Sequence, residues 1–258
     1  MGFALLSAWL AREPAMVVHV VEPDPVLRRR AQGLGAHVYD RAADLPETLT
    51  PQIVVLAVKP GLVCRLLEDY VKVVERGAIV LSVAAGITIG SMQAIVGDTA
   101  SIVRAMPNTP TAVGAGAIVC CANATANAEI RFATQRLLEP SGKVFFVEDE
   151  VLIDAVTALS GSGPAYVFYF IECLAKAGAE IGLSEDLARA LAMQTTYGAS
   201  LLALRSSDPP EILRDRVTSP NGTTEAALSV LTAVDGLAPL IEKTLSAALT
   251  RCRELRHG

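Results

Sequence analysis

The stretch Ser219-Pro220-Asn221-Gly222-Thr223-Thr224 gathers groups that can hold an anion. Pro220-Asn221-Gly222 forces a turn, and Thr223-Thr224 opens a helical pattern. The first N–H groups of a helix have no partner inside it, and the helix dipole places positive charge at that end. A carboxylate fits there without an arginine. The Ser219 hydroxyl adds a donor, and the Thr224 hydroxyl can hydrogen-bond a ring nitrogen. Taken alone, these residues read more simply as a plain N-cap loop.

A second group of residues lies at the front of the chain. Met1-Gly2 opens a helical run to Arg12. A β-branched strand, Met16 to Val21, follows it and ends at the acid Glu22. In a doubly wound dinucleotide-binding unit a glycine opens the first helix and an acid at the end of the second strand takes the ribose hydroxyls. Gly2 and Glu22 stand at that spacing, although Gly-x-Gly-x-x-Gly itself is not in the sequence. On this reading the first strand and the first two glycines lie upstream of Met1. An ordinary start and a surface acid explain the same residues. Two strand exits complete the set: Ala57-Val58-Lys59-Pro60, and Ala84-Ala85 after Ser82-Val83. Their small residues let backbone approach a flat ring, as a cofactor site requires; simple tight turns are the alternative. Asn108, in Asn108-Thr109-Pro110, reads as a cleft-lining residue or as a turn cap.

Other residues are less informative. His19, His37 and His257 lie in a strand, near a strand and at the terminus, and none is placed as a general base. Ser160-Gly161-Ser162-Gly163 lacks the Gly-Lys-Ser/Thr of a phosphate loop and is not Gly-x-Ser-x-Gly. The cysteines at 64, 120, 121, 173 and 252 have neither the spacing of a zinc site nor that of a disulfide framework, so no metal is expected. The net charge of -5 and the single basic run Arg28-Arg29-Arg30, read as a solvated helix face, argue against a nucleic-acid partner. The apolar stretch Ala165 to Ala175 is too short to span a bilayer, so no membrane partner is expected; a buried core or subunit interface suits it better. With no signal peptide in view, a cytoplasmic location is expected.

The elements that must position these residues change character along the 258-residue chain, 52% of which is hydrophobic and 19% charged. Strands at Met16–Val21, Ile53–Val58, Ala78–Val83, Ile102–Arg104, Ala115–Cys121 and Lys143–Val147 alternate with helices at Pro23–Leu34, from Pro60, and at Ala128–Leu138. This predicts an α/β fold, a Rossmann-like and mainly parallel sheet covered on both faces. After residue 149 only helical patterns remain: Glu150–Leu159, Pro164–Ile181, Ser184–Arg205, Pro209–Asp215, Thr224–Thr232 and Gly236–Leu255. Ser184 reads as an N-cap, and Asp208-Pro209-Pro210-Glu211 as a cap, a first-turn proline and a capping glutamate. Two domains are therefore expected: a dinucleotide-binding domain over 1–149 and an all-α domain over 150–258.

Four segments in this order and at these separations carry a family resemblance: Val55-Leu56-Ala57-Val58-Lys59-Pro60, Arg104-Ala105-Met106-Pro107-Asn108-Thr109-Pro110, Leu159-Ser160-Gly161-Ser162-Gly163-Pro164-Ala165-Tyr166, and Val217-Thr218-Ser219-Pro220-Asn221-Gly222-Thr223-Thr224. The chain resembles the pyrroline-5-carboxylate reductases. The resemblance implies reduction of a cyclic imine to L-proline with NADPH or NADH, and Glu22 leans toward NADH because an acid repels a 2′-phosphate. It implies that Ser219, Gly222 and Thr223 hold the substrate carboxylate, that Thr224 faces the ring nitrogen, and that Glu150 is an acid near the substrate. In the first turn of a helix, Glu150 is equally explained by the dipole. It also implies an intertwined homodimer or larger ring through the helical domain. Two rival readings differ in class. One is a catalytically impaired paralogue acting as a binding or scaffold protein. The other is a related two-domain hydroxyacid dehydrogenase, disfavoured because Lys176 is followed by Glu180 where that group resembles Lys-x-x-x-Asn. The absent first strand is expected to leave a gap between Met16–Val21 and Ile102–Arg104, weakening dinucleotide binding.

Overall fold

The computed structural model describes Met1 to His257, with side chains through Glu254. It divides into two compact units, one made of Met1–Ser162 and the chain from Leu249, the other of Gly163–Ala248.

The first unit runs α1 (Gly2–Arg12), β1 (His19–Val21), α2 (Pro25–Gly33), β2 (His37–Tyr39), β3 (Ile53–Leu56), α3 (Val63–Glu68), α4 (Val71–Glu75), β4 (Ile79–Ser82), α5 (Ile89–Val96), β5 (Ile102–Met106), β6 (Gly116–Ala122), α6 (Ala128–Leu138), β7 (Gly142–Val147) and α7 (Leu152–Val156). Strands β3 to β7 form one sheet in chain order, parallel except where β5 and β6 run antiparallel. Strand β4, Ile-Val-Leu-Ser, is buried at every residue, as a strand covered on both faces must be. Its side chains alternate between two apolar clusters. Val80 joins Val63, Leu67, Val74, Met92 and Val96 from α3, α4 and α5. Ile79 and Leu81 join Leu5, Leu6 and Trp9 of α1, Ala31 of α2 and Leu138 of α6. The Trp9 indole N–H donates to the Leu137 carbonyl at 2.7 Å, satisfying the one polar atom of a buried ring.

Strands β1 and β2 pair in parallel, His19 opposite His37, as a separate two-stranded sheet. The expected position of the gap needs correction. β5 is paired on both sides, by β4 and β6, so nothing is missing beside it. Among the described residues the strands paired on one side only are β1, β2, β3 and β7. Strand β2 and helix α5 were not anticipated, because each is short and lacks a long periodic pattern; nor was the antiparallel turn of β6.

The first unit also extends past residue 149, to Ser162. Ile153 of α7 is fully buried in the β3–β5 cluster, which binds this segment to the sheet. The helix expected over Glu150–Leu159 is instead α7 followed by a wider, π-type turn at Thr157–Gly161. A Cβ on Gly161 would lie 2.7 Å from the Met106 methyl, so this turn rests against the side chain at the end of β5.

The second unit is helical: α8 (Gly163–Glu180), α9 (Glu185–Arg205), α10 (Pro210–Arg216), α11 (Thr223–Leu231) and the start of α12 (Leu237–His257). Ser184 caps α9 by accepting from the Leu187 N–H, as its sequence suggests. Asp208 does not cap α10. The N-cap is Pro209, which has no side-chain donor or acceptor, and the Asp208 carboxylate pairs with Arg216 instead. On α8, Phe168, Tyr169 and Phe170 are 62%, 66% and 48% exposed, an apolar face left open on the single chain.

Candidate active site

In the first unit, Leu56 lies level with Ser82 and Ser82 with Arg104 across three parallel strands. The residues that follow therefore leave the sheet from one edge, where ligands of open α/β sheets bind. Ala57 is half-buried, whereas Val58, Lys59 and Pro60 are exposed. Lys59 is extended and Pro60 begins a short 3-10 turn, so the chain veers off at once. Beyond β4, Ala84 is buried with its N–H on the Ser82 hydroxyl at 3.3 Å, and Ala85 is exposed.

Helix α1 starts beside this edge. A Cβ on Gly2 would stand 3.0 Å from the Ala57 Cβ, so the helix can come no closer with any other residue. Met1 at its N-cap supplies no side-chain cap, and no acid occupies the first turn. Its leading N–H groups are thus available to an anion. At the end of β1 the Glu22 carboxylate accepts the Asp24 N–H through Oε1 at 2.9 Å, and the Glu22 N–H donates to the Tyr39 carbonyl at 3.0 Å. An uncapped helix start, a glycine pressed on a strand exit and an acid held at a strand end are donors and an acceptor of the kind a dinucleotide site uses.

Two residues expected in the site have other partners. The Asn108 amide nitrogen donates to the Ser160 carbonyl at 3.0 Å and its oxygen accepts the Ala117 N–H at 2.9 Å. It shapes the β5 exit through buried bonds. The Glu150 carboxylate accepts from Arg104 Nη1 and from the Ile89 N–H, both at 2.8 Å and both on Oε1. Arg104 is 2% exposed. Burying a guanidinium is costly unless it is paired, and Glu150 supplies that pair while fixing the start of α5. The charged pair sits beside Cys121, whose thiol is pushed up by burial first and by Glu150 and Glu148 next. An arginine inside the apolar run Ile102-Val103-Arg104-Ala105 was the available signal for this pair, because such a residue needs a buried partner. Among the described residues no cluster of His, Cys, Asp and Glu could hold a metal.

In the second unit, the loop before α11 is tightly specified. Asn221 is the one non-glycine residue with positive φ (58°) among those described, a conformation asparagine tolerates better than most. The Gly222 N–H closes the turn onto the Ser219 carbonyl at 3.0 Å. A Cβ on Gly222 would lie 2.5 Å from Ser219 Oγ and 3.0 Å from its carbonyl oxygen, so only glycine fits. Glu225 reaches back to the Asn221 N–H at 2.7 Å. Gly222 offers no side-chain cap to α11. The free N–H groups are therefore those of Thr223 and Thr224, with the Gly222 N–H engaged in the turn. Ser219 and Thr223 are exposed and Thr224 half-buried.

A model of the pyrroline-5-carboxylate reductase dimerisation domain matches residues 150–255. The pyrroline-5-carboxylate reductase of Pseudomonas aeruginosa is 40% identical over 98% of this chain and 92% of its own length. The chain belongs to the pyrroline-5-carboxylate reductase family. A solved pyrroline-5-carboxylate reductase from Coxiella burnetii superposes with a TM-score of 0.92 at 33% identity, covering 98% of this chain and 94% of that one. The Plasmodium falciparum enzyme, solved with NADP bound, gives 0.81 at 26% identity over the same shares. Membership in the pyrroline-5-carboxylate reductase family removes the hydroxyacid dehydrogenase reading. In agreement, Lys176 is spent on an exposed pair with Glu172 at 2.7 Å.

Proposed function

We propose that this chain reduces 1-pyrroline-5-carboxylate to L-proline, with the cofactor held by the first unit and the substrate by the second. The observation that carries the reading is the locked turn Ser219–Gly222 opening onto the uncapped start of α11. The N–H groups of Thr223 and Thr224 and the Ser219 hydroxyl bind the carboxylate. The Thr224 hydroxyl hydrogen-bonds the ring nitrogen. The chemistry needed from a reduced nicotinamide, when one is bound, would be a hydride for the electrophilic imine carbon. An imine that enters protonated needs little further acid, so the task of these residues is orientation. This suits a set of groups without a histidine or a free acid at the loop.

In the first unit, the α1 start takes the pyrophosphate and Glu22 the ribose hydroxyls, which favours NADH over NADPH. Ala57, Val58, Lys59, Pro60, Ala84 and Ala85 line the strand exits against the dinucleotide. Asn108 contributes by shaping that edge, and Glu150 by positioning Arg104 and α5. The family's dimerisation model over 150–255 and the exposed aromatic face of α8 support a homodimer or larger ring. A helix long and apolar enough to cross a membrane is not found among the described residues, and the reading places the enzyme in the cytoplasm.

The test is direct. Purified protein given the imine and NADH produces proline, measured by amino-acid analysis, at a rate that tracks cofactor oxidation. Cofactor oxidation without proline, or neither, removes the assignment. Light scattering at micromolar concentration tests the assembly, and a monodisperse monomer would overturn it.

A further inference from the structure

The basic run Arg28-Arg29-Arg30 sits on α2, directly after Glu22, where a second phosphate on the adenosine ribose would invite a cation. Yet Arg28 is turned away from that duty. Its Nη1 donates to the Glu22 carbonyl at 2.7 Å, to the Pro23 carbonyl at 3.1 Å and to Asp40 Oδ1 at 2.8 Å. Asp40 follows β2, the strand paired with β1, and meets Arg28 at the same Nη1 that bonds the β1–α2 turn. The turn itself is built independently: Asp24 caps α2 through the Val26 and Leu27 N–H groups at 2.7 and 3.1 Å. Arg30 is also engaged, lying 4.3 Å over the Phe3 ring.

We propose that Asp40 is a positioning residue for cofactor selection, holding Arg28 at the β1–α2 turn so that the turn presents the Glu22 carboxylate rather than a guanidinium to the ribose. The proposal rests on the reading of Glu22 as the ribose-binding acid. The physical argument is a competition for one cation. A 2′-phosphate carries charge and several acceptor oxygens, and a guanidinium is the side chain best matched to it. With Asp40 present, Arg28 Nη1 must give up a carboxylate and two carbonyls to turn toward a phosphate. With Asp40 gone, the two carbonyls are the weaker, uncharged part of its cage. The Arg28–Asp40 pair is partly exposed, at 25% and 54% of the side chains. Exposed pairs of this kind contribute little to folding, so removing Asp40 leaves a folded protein in which to measure selectivity.

The probes are ADP and 2′,5′-ADP, titrated calorimetrically into the whole chain without any turnover. The natural chain is expected to favour ADP. Asp40→Ala and Asp40→Asn are each expected to improve 2′,5′-ADP binding on the order of 5-fold, with ADP little changed, and the gain should fade with added salt. Asp40→Glu is expected to restore the original ratio. Asp40→Ala combined with Arg28→Ala should lose the gain. If Asp40→Ala leaves the ratio unchanged, or if the double variant keeps the gain, the proposal is overturned. Glu22→Gln separates this from the underlying reading. If Glu22→Gln moves the ratio while Asp40→Ala does not, Glu22 is the ribose acid and Asp40 has no part in selection. If Glu22→Gln moves nothing, the ribose assignment fails, and the proposal fails with it.

Discussion

Helices α1 and α11 both begin without a side-chain cap, but they are prepared for an anion in different ways. The start of α11 is organised by its own neighbours in sequence: Asn221 with positive φ, Gly222 packed against Ser219, and Glu225 bonded back to Asn221. The start of α1 has no such local lock. Its order comes from Gly2 resting on Ala57 at the end of β3, and from Leu5, Leu6 and Trp9 buried in the sheet cluster. A ligand site built locally is sensitive to single atoms. One built on a distant strand is sensitive to the sheet that carries it.

The sharpest way to break this contrast is Gly222→Ala. The new Cβ meets Ser219 Oγ, a side-chain atom of the proposed site, and the Ser219 carbonyl oxygen, which is fixed in the backbone of the turn. A displacement of about 1 Å at a positioning loop can cost on the order of 100-fold, and kcat/KM for imine reduction is expected to fall by that amount. Helix content by circular dichroism should stay as it is, because α11 itself is untouched. Near-normal kcat/KM would show that the turn is not part of the substrate site.

The converse experiment acts on the first unit. Adding an apolar strand and a Gly-x-Gly turn in front of Met1 tests the reading of Gly2 and Glu22 as part of a dinucleotide unit, in a fold where β1 and β3 are each paired on one side only. Each backbone hydrogen bond gained contributes roughly 0.5–1.5 kcal/mol. The denaturant midpoint of this unit is therefore expected to rise, and ADP affinity to increase on the order of 10-fold as the glycine turn cradles the pyrophosphate. An unchanged midpoint and affinity would mean that the two sheets are already sufficient.

Within the α11 loop, the hydroxyls are expected to divide the work. Thr224→Ala should lower kcat by roughly 10-fold with little change in KM, since a hydrogen bond to a charged group contributes about 1.5–3 kcal/mol. Ser219→Ala should act mainly on KM, because the carboxylate is bound alike before and during hydride transfer. Steady-state kinetics distinguish the two, and identical profiles would undo the division. The smallest effect is expected at Gly2→Ala. Its Cβ meets another methyl at 3.0 Å rather than backbone, so a small shift of α1 suffices. ADP affinity should weaken by about 3-fold, close to 0.7 kcal/mol.

Much of this architecture was legible in the residues. Helix α6 spans the predicted Ala128–Leu138, and strands β3 to β7 fall within a few residues of the apolar runs that announce them. Those runs are long, β-branched and bounded by turn residues, which is where local pattern speaks clearly. Strand β2 and helix α5 escaped notice because three- and eight-residue elements leave little periodicity to read. Asp208 looked like a cap by position but is taken by Arg216, a pairing that local spacing does not reveal. The same holds for Glu150. Its place in the chain suggested a dipole or a substrate, and only the fold shows that Oε1 is bonded to the buried Arg104.

By itself, then, the sequence determined the α/β-then-α order, the family, and the turn before α11, because each depends on residues close together in the chain or on motifs whose order can be read along it. Tertiary structure decided which strands pair, that the first unit runs on to Ser162, and which charges are spent on each other. Those outcomes join residues far apart: Arg104 with Glu150, Asn108 with Ser160, Arg28 with Asp40. A buried charge or amide must find a partner somewhere, but only the folded chain decides which one is within reach.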